Sequence, residues 1–249
     1  MHFDERVLKG LYGKGYFFGE EYSDYLADRD AIQKNFNQRL KVLHSHIDDY
    51  RHKHLLEIGC AYGFFLDIAR NSFETVRGID ITKEGITYAS EYLKVDAICA
   101  DFLQHDFGAQ RFDVVCMWDT IEHLQNPHLY IEKIAELTEP GALITITTGD
   151  IESFNARIGK SRWRLIHPPT HLHYFSKKTL ERTLQRYGFD VVYNRYCGFY
   201  RSIDMAAYRI FMLKKKWREA YRLVRESWLG RVYFYLNLFD IMYVIARKR

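Results

Sequence analysis

Cysteine is scarce in this chain. Cys60, Cys99, Cys116 and Cys197 are the only four, none lies in a C-x-x-C pair, and most stand inside apolar runs. A disulfide framework and a thiolate metal site are therefore disfavoured, and a reduced, cytoplasmic protein with inert thiols is expected. No apolar run approaches membrane-spanning length, and Met1–Arg6 has no signal-peptide core. Repeats and low-complexity tracts are missing as well. A net charge of +4 is too mild to imply nucleic acid. What is plentiful is ordinary globular material, 47% hydrophobic and 27% charged, with 249 residues suiting one large domain. Aromatics reach 16% and gather in the N-terminal arm and after residue 150. That placement fits the walls of an organic-substrate pocket or, equally, the filling of a core.

Residues 55–63, Leu-Leu-Glu-Ile-Gly-Cys-Ala-Tyr-Gly, carry the most information. An apolar run from His54 to Ile58 predicts a strand. Gly59, Ala61 and Gly63 predict a tight turn, and Phe64–Arg70 continues with helical spacing. Strand, small-residue turn and helix in that order ring a bay with backbone N–H groups, on which a bulky ligand can lie. Glu57 precedes the turn. Asp80 ends the next apolar stretch about 20 residues on, the separation at which such folds bind ribose hydroxyls.

This acid-plus-turn motif, Glu57-x-Gly59-x-Ala61-x-Gly63, resembles the first motif of the class I S-adenosylmethionine-dependent methyltransferases, with Ala61 at the middle small position. The G-x-G-x-x-G spacing of a pyrophosphate-binding dehydrogenase is absent, which weakens a nicotinamide-dependent alternative. The resemblance implies S-adenosyl-L-methionine as cofactor and S-adenosyl-L-homocysteine as product. It implies an α/β, Rossmann-like, seven-stranded, mostly parallel sheet with helices on both faces and an antiparallel edge strand.

By resemblance, Glu57 meets the cationic amino group, Asp80 the ribose diol and Asp101 the adenine amino group, with Phe102 packing on the ring. Gly59, Cys60, Ala61, Gly63, Ile81, Trp118, Asp119 and His123 complete the expected cofactor contacts. Each acid also has a plainer reading: Asp80 and Asp101 as helix-capping loop acids, Asp113 as structural. The stretch Asp119-Thr-Ile-Glu-His-Leu-Gln-Asn-Pro resembles a loop of small-molecule methyltransferases in which the Glu-His pair orders the chain beside the cofactor.

The remaining alternation predicts strands at 75–80, 95–100, 112–118 and 142–148, helices at about 83–93 and 128–138, and a helix stop at Pro140-Gly141. Ser176 is expected to cap a helix, and the last strand to run from Tyr233 to Arg247. Residues 1–50 form an N-terminal arm whose helical spacing begins near Asp28. Residues 51–249 form the methyltransferase domain, with a substrate insert at 150–175 and a basic amphipathic helical insert at 201–231. The arm's Tyr-Phe-x-Gly-x-x-Tyr string resembles lids of glycan- and natural-product-type relatives. Tyr16, Tyr22 and Tyr25 are thus substrate candidates, although they equally suit loop anchoring.

Methyl transfer to a hydroxyl needs a base, because an alkoxide is rare at neutral pH. The insert supplies His167, His171 and His173 within seven residues. His171 is the first choice for base and His173 the second, with Trp163 and Tyr174 as substrate contacts. Two other readings stay open: a zinc site, for which no fourth ligand is evident and which methyl transfer does not require, and histidines that merely bond backbone. No metal is expected. The 201–231 segment carries nine basic residues against three acids. It fits a solvated surface helix, an anionic membrane surface, phosphate groups or a homodimer contact.

The expectation is methylation of a small-molecule or glycan-type acceptor: a hydroxyl of a sugar, glycan precursor or related metabolite. The rival is a non-catalytic protein that keeps the cofactor fold and binds a membrane or protein partner through the basic segment. The Asn/Asp-Pro-Pro-Tyr motif of base-amine methylation is missing after the fourth strand, so nucleic acid is not an expected partner.

Overall fold

The computed structural model describes residues 25–26, 28–214 and 217–249. They fall into two compact units. One joins the described residues up to Gln38 to those of Gly198–Leu236; the other comprises Arg39–Cys197 and Asn237–Arg249.

The described residues include a seven-stranded sheet in the order β3-β2-β1-β4-β5-β7-β6. Its strands are β1 (His54–Ile58), β2 (Thr75–Asp80), β3 (Asp96–Cys99), β4 (Phe112–Trp118), β5 (Thr138–Gly149), β6 (Phe189–Ser202) and β7 (Tyr233–Lys248). The pairs β1–β2, β2–β3, β1–β4 and β4–β5 are parallel, and β5–β7 is antiparallel. Strands buried on both faces need near-continuous apolar sequence, which is what β1 and β4 have. Leu56 and Ile58 join Val115, Met117, Ile144 and Ile146 in one core layer. By the two-residue period Glu57 points to the other face, opposite its register partner Cys116.

Helices α1 (Arg29–His44), α2 (Phe64–Ala69), α3 (Lys83–Tyr88), α4 (Pro127–Glu136), α5 (Phe154–Gly159) and α6 (Lys177–Arg186) precede or connect the strands. A π-turn at Ala89–Leu93 prolongs α3, in line with the expected 83–93 helix. Ser176 caps α6 in a reciprocal capping box with Thr179, fixing its start where the sequence placed it.

Two expectations change. Pro140-Gly141 does not close α4 but lies inside β5, at a register slip between the Phe112–Thr138 and Val114–Leu143 pairs. A bulge of this kind is where a strand tolerates proline. The 201–231 segment is not one helix. It comprises α7 (Ile203–Ala207), a π-helical Tyr208–Lys214, α8 (Arg218–Glu226) and a final 3-10 turn at Trp228–Arg231. Ser202 starts the first piece by accepting from Met205 N, and Trp217 opens the second. Within this smaller unit Asn35 exchanges hydrogen bonds with the main chain of Tyr200, and Tyr233 donates to Asp30. Among the described residues no helix is long and apolar enough to cross a membrane.

Candidate active site

The chain runs outward from β1 through β2 to β3, then returns across β1 to place β4 on its other side. Ligands of such sheets bind outside the carboxyl ends of the strands at this reversal. The turn after β1 lies there. Gly59 and Gly63 hold φ of +77° and +74°, and Ala61 holds +47°. A Cβ on Gly59 would come within 2.7 Å of Thr120 Oγ1, so the turn requires glycine both for its φ and for its closeness to the loop after β4.

Asp80 braces the same turn. Its Oδ2 accepts from Ala61 N at 2.9 Å, and its Oδ1 accepts from Thr82 N at 2.8 Å and Thr82 Oγ1 at 2.6 Å. The carboxylate therefore ties together the turns after β1 and β2, and a carboxylate has lone pairs enough to accept more. Ile81, beside it, is 51% exposed. Beneath the turn Glu57 is buried, and its Oε2 has no partner among the described residues. Burial, with the nearby charge of Asp80 second, pushes its carboxyl well above the usual range.

β4 ends at a second strained residue. Asp119 has φ +49° and is gripped by Arg39 of α1, with Nη2 to Oδ2 at 2.6 Å, while Thr147 Oγ1 donates to Oδ1 at 2.9 Å. Burial acts to raise the Asp119 carboxyl, but the Arg39 charge and these hydrogen bonds outweigh it and hold the group low. The Arg39 guanidinium also lies 5.4 Å from the Trp118 ring centroid. Nothing in the helical spacing of α1 marks Arg39, and the sequence reading overlooked it.

The 150–175 insert is stapled to the loop after β4 by main chain: Leu172 N and His173 N both donate to Glu122 O, at 2.8 and 3.1 Å. This brings His171 beside Glu122 and His123. His171 Nδ1 bonds Leu165 O and His123 Nδ1 bonds Thr170 O, each at 2.9 Å. A carbonyl only accepts, so each Nδ1 carries a proton, which leaves Nε2 as the other nitrogen of each ring. The two rings meet edge to face with centroids 4.7 Å apart. One ligand atom from each of Glu122, His123 and His171 lies within 4.8 Å of the others. Burial and, second, the Asp119 charge raise Glu122 to about 7, and its Oε2 has no partner among the described residues.

The profile of the family described as "Methyltransferase domain" matches residues 26–194. The chain belongs to that family. It is 28% identical over 115 residues to a ubiquinone biosynthesis O-methyltransferase of Coxiella burnetii, covering 44% of this chain and 49% of that protein. It is 24% identical over 181 residues to the same-named enzyme of Agrobacterium fabrum, covering 66% and 69%. The chain thus spans about half the length of the first of these relatives. Among solved structures, magnesium protoporphyrin IX methyltransferase from Synechocystis with bound S-adenosylhomocysteine superposes with a TM-score of 0.62, covering 99% of this chain and 100% of that one at 12% identity. The N-methyltransferase NodS from Bradyrhizobium japonicum, also with S-adenosylhomocysteine, gives 0.55, 87% and 86% at 16% identity. The structural likenesses show the fold alone: a mostly parallel, Rossmann-like sheet with an antiparallel edge pair.

The methyltransferase cofactor fits the residues present. A bare-backbone turn, a buried carboxylate with an orphaned oxygen, the Asp80 carboxylate and an exposed Ile81 suit, in turn, a bulky nucleoside, a cationic amino group, a ribose diol and a base. Gly59, Cys60, Ala61, Gly63, Glu57, Asp80 and Ile81 would hold it. The Cys60 side chain itself is buried, so its part is played by main chain. Asp101 is exposed, just beyond the end of β3, and accepts from Leu103 N in a turn with no helix after it. Asp113 accepts from Lys53 N and His54 N, anchoring the start of β1.

Several expected contacts move elsewhere. Phe102 is a core residue, stacked on Tyr130 at 5.3 Å with Lys133 Nζ 5.2 Å from its centroid, so its ring is already sandwiched. Trp163 is buried and donates Nε1–H to Asp240, which also takes Arg164 in a two-point ion pair. It fastens the insert to β7 and offers no open wall. Trp118 is likewise buried, edge-on to Phe65 and Tyr243. His173 turns to Gln125 O at 3.3 Å and stays out of the histidine cluster. Tyr174 remains exposed near His171. Tyr25 is buried, and Tyr16 and Tyr22 lie outside the described residues. Glu122 was visible in the sequence only as half of a loop-ordering pair.

Proposed function

We propose that this methyltransferase-family chain is an enzyme that transfers a methyl group to a hydroxyl of a small organic acceptor held beside His171. The observation that carries the reading is the largely buried Glu122–His123–His171 cluster beyond the carboxyl end of β4, on the loop whose Thr120 lies against the cofactor turn. The names of the Coxiella and Agrobacterium relatives, O-methyltransferases of ubiquinone biosynthesis, point the same way. The acceptor class is a phenol-like metabolite hydroxyl or a sugar or glycan-precursor hydroxyl.

Bound S-adenosylmethionine would supply a methyl group on a cationic sulfur. The chain's own work is to align the acceptor oxygen with that carbon, a positioning effect worth roughly 7–11 kcal/mol. It must also take the hydroxyl proton. With Nδ1–H committed to Leu165 O, His171 Nε2 is the accepting atom, and Glu122 alongside stabilises the imidazolium that results. Arg39 keeps Asp119 ionised and the β4 end in its strained turn.

Incubation with methyl-labelled cofactor and panels of catechols, sugars and amines tests the assignment. Label appearing on oxygen, with turnover lost in His171→Ala, is the expected result. Transfer to amines alone, or homocysteine-cofactor binding with no turnover on any acceptor, would sink it and favour the non-catalytic rival.

A further inference from the structure

The cluster beside the proposed acceptor position has the composition and second-sphere arrangement of a cation site. Glu122, His123 and His171 are the one group of three His, Cys, Asp or Glu side chains among the described residues whose ligand atoms converge within 4.8 Å. Two imidazoles and one carboxylate form a set that catalytic zinc sites use, leaving a fourth position open. Metal-ligating histidines almost always donate their other ring N–H to a carbonyl or carboxylate, which fixes the tautomer. Both histidines here do so, to Thr170 O and Leu165 O. Glu122, 5% exposed, keeps one buried oxygen with no hydrogen-bond partner among the described residues, a costly arrangement unless a cation or donor meets it.

We infer that Glu122, His123 and His171 bind a divalent transition-metal cation of the zinc class through one carboxylate oxygen and two Nε2 atoms. Imidazole donors select such cations over magnesium or calcium, which prefer all-oxygen shells. Ligand atoms bound at about 2.0–2.1 Å stand roughly 3.4 Å apart around a tetrahedral ion. Closing from 4.8 Å therefore asks for small side-chain rotations, with the backbone ties of Leu172 and His173 to Glu122 O holding the two segments in place.

The cation's use rests on the proposed O-methylation; its binding does not. An acceptor hydroxyl in the open position would have its pKa lowered by the ion. Its O–H bond then breaks with the proton passing to solvent, its oxygen lone pair forms the O–CH3 bond, and the C–S electron pair returns to sulfur. In that state the ion, by acidifying the hydroxyl, replaces the imidazole as the means of removing its proton.

Titration of the whole 249-residue chain with cobalt(II), followed by visible absorption, tests the site without any acceptor. Expected is one equivalent bound at micromolar or tighter affinity, weakened at least about 10–100-fold in both Glu122→Gln and His171→Ala. S-adenosylhomocysteine binding should persist in both variants as proof that they fold. Zinc-edge X-ray absorption of the loaded wild type needs no variant: two imidazoles and oxygen support the site, and a sulfur shell overturns it. Millimolar or absent binding in the wild type, or binding untouched by both substitutions, overturns it too. Cation binding without methyl transfer would sink the acceptor reading and leave the site standing.

Discussion

The two sides of the proposed reaction centre are built in opposite ways. The cofactor side is local and mostly backbone: Glu57 to Gly63 turn within seven residues, with Asp80 as brace. The acceptor side is non-local and made of side chains, with Thr170, which fixes His123, lying 47 residues further along the chain. A local turn is specified by conformational preference and survives most changes nearby. A cluster assembled across an insert depends on every tie that holds the insert down.

The largest predicted effect attacks the first side. Gly59→Val forces a β-branched residue to φ +77° and into Thr120. The cost is roughly 2–4 kcal/mol of stability from the left-handed backbone and the overlap together, together with loss of S-adenosylhomocysteine binding. Urea unfolding and calorimetry read both. If the variant bound the product normally, the bare-backbone account would be wrong.

On the acceptor side, His171→Ala should lower kcat by about 10²–10⁴ while product affinity changes little. Equal losses of turnover and product affinity would erase the distinction between the two sides.

Asp119→Asn is a smaller test at the border. It weakens a charge-assisted pair with the buried Arg39, at roughly 1.5–3 kcal/mol. Because the folded-state carboxyl of Asp119 is held below its unfolded value, its contribution is present above about pH 4 and fades as pH falls through the folded-state pKa. The stability gap between wild type and Asp119→Asn should therefore be wide at pH 6 and shrink as the pH is taken below about 4. A gap that widened on acidification would contradict the ion-pair assignment.

Smallest is Trp163→Phe, which removes one hydrogen bond to Asp240 while Arg164 stays in place, for about 0.5–1.5 kcal/mol. That corresponds to a melting shift of a few degrees. A large loss of turnover without a melting shift would restore Trp163 to the substrate wall.

The same contrast explains what was legible in the sequence. The bounds of β1, β2 and β4 could be read because their runs end abruptly at glycine or aspartate, and in β1 and β4 both faces are buried. The capped start of α6 was legible because Ser176 acts on its own neighbours. Pro140-Gly141 misled because a helix stop and a strand bulge share the same residues; only the register between β4 and β5 separates them. Phe102 and Trp163 misled because an aromatic chain looks alike whether it lines a pocket or fills a core. Arg39 and the Glu122–His171 encounter have no local signature, since each is created by packing between distant segments.

The thiols of this chain offer a practical handle. Cys60 and Cys116 are buried, and burial raises both well above the usual thiol range; burial likewise lifts Cys197 to about 11. Cys99 alone is exposed, at the end of β3 and paired in register with Asp80. A maleimide fluorophore should therefore attach at one place in the native protein, beside the expected nucleoside end, turning an incidental surface sulfur into an optical reporter of ligand arrival.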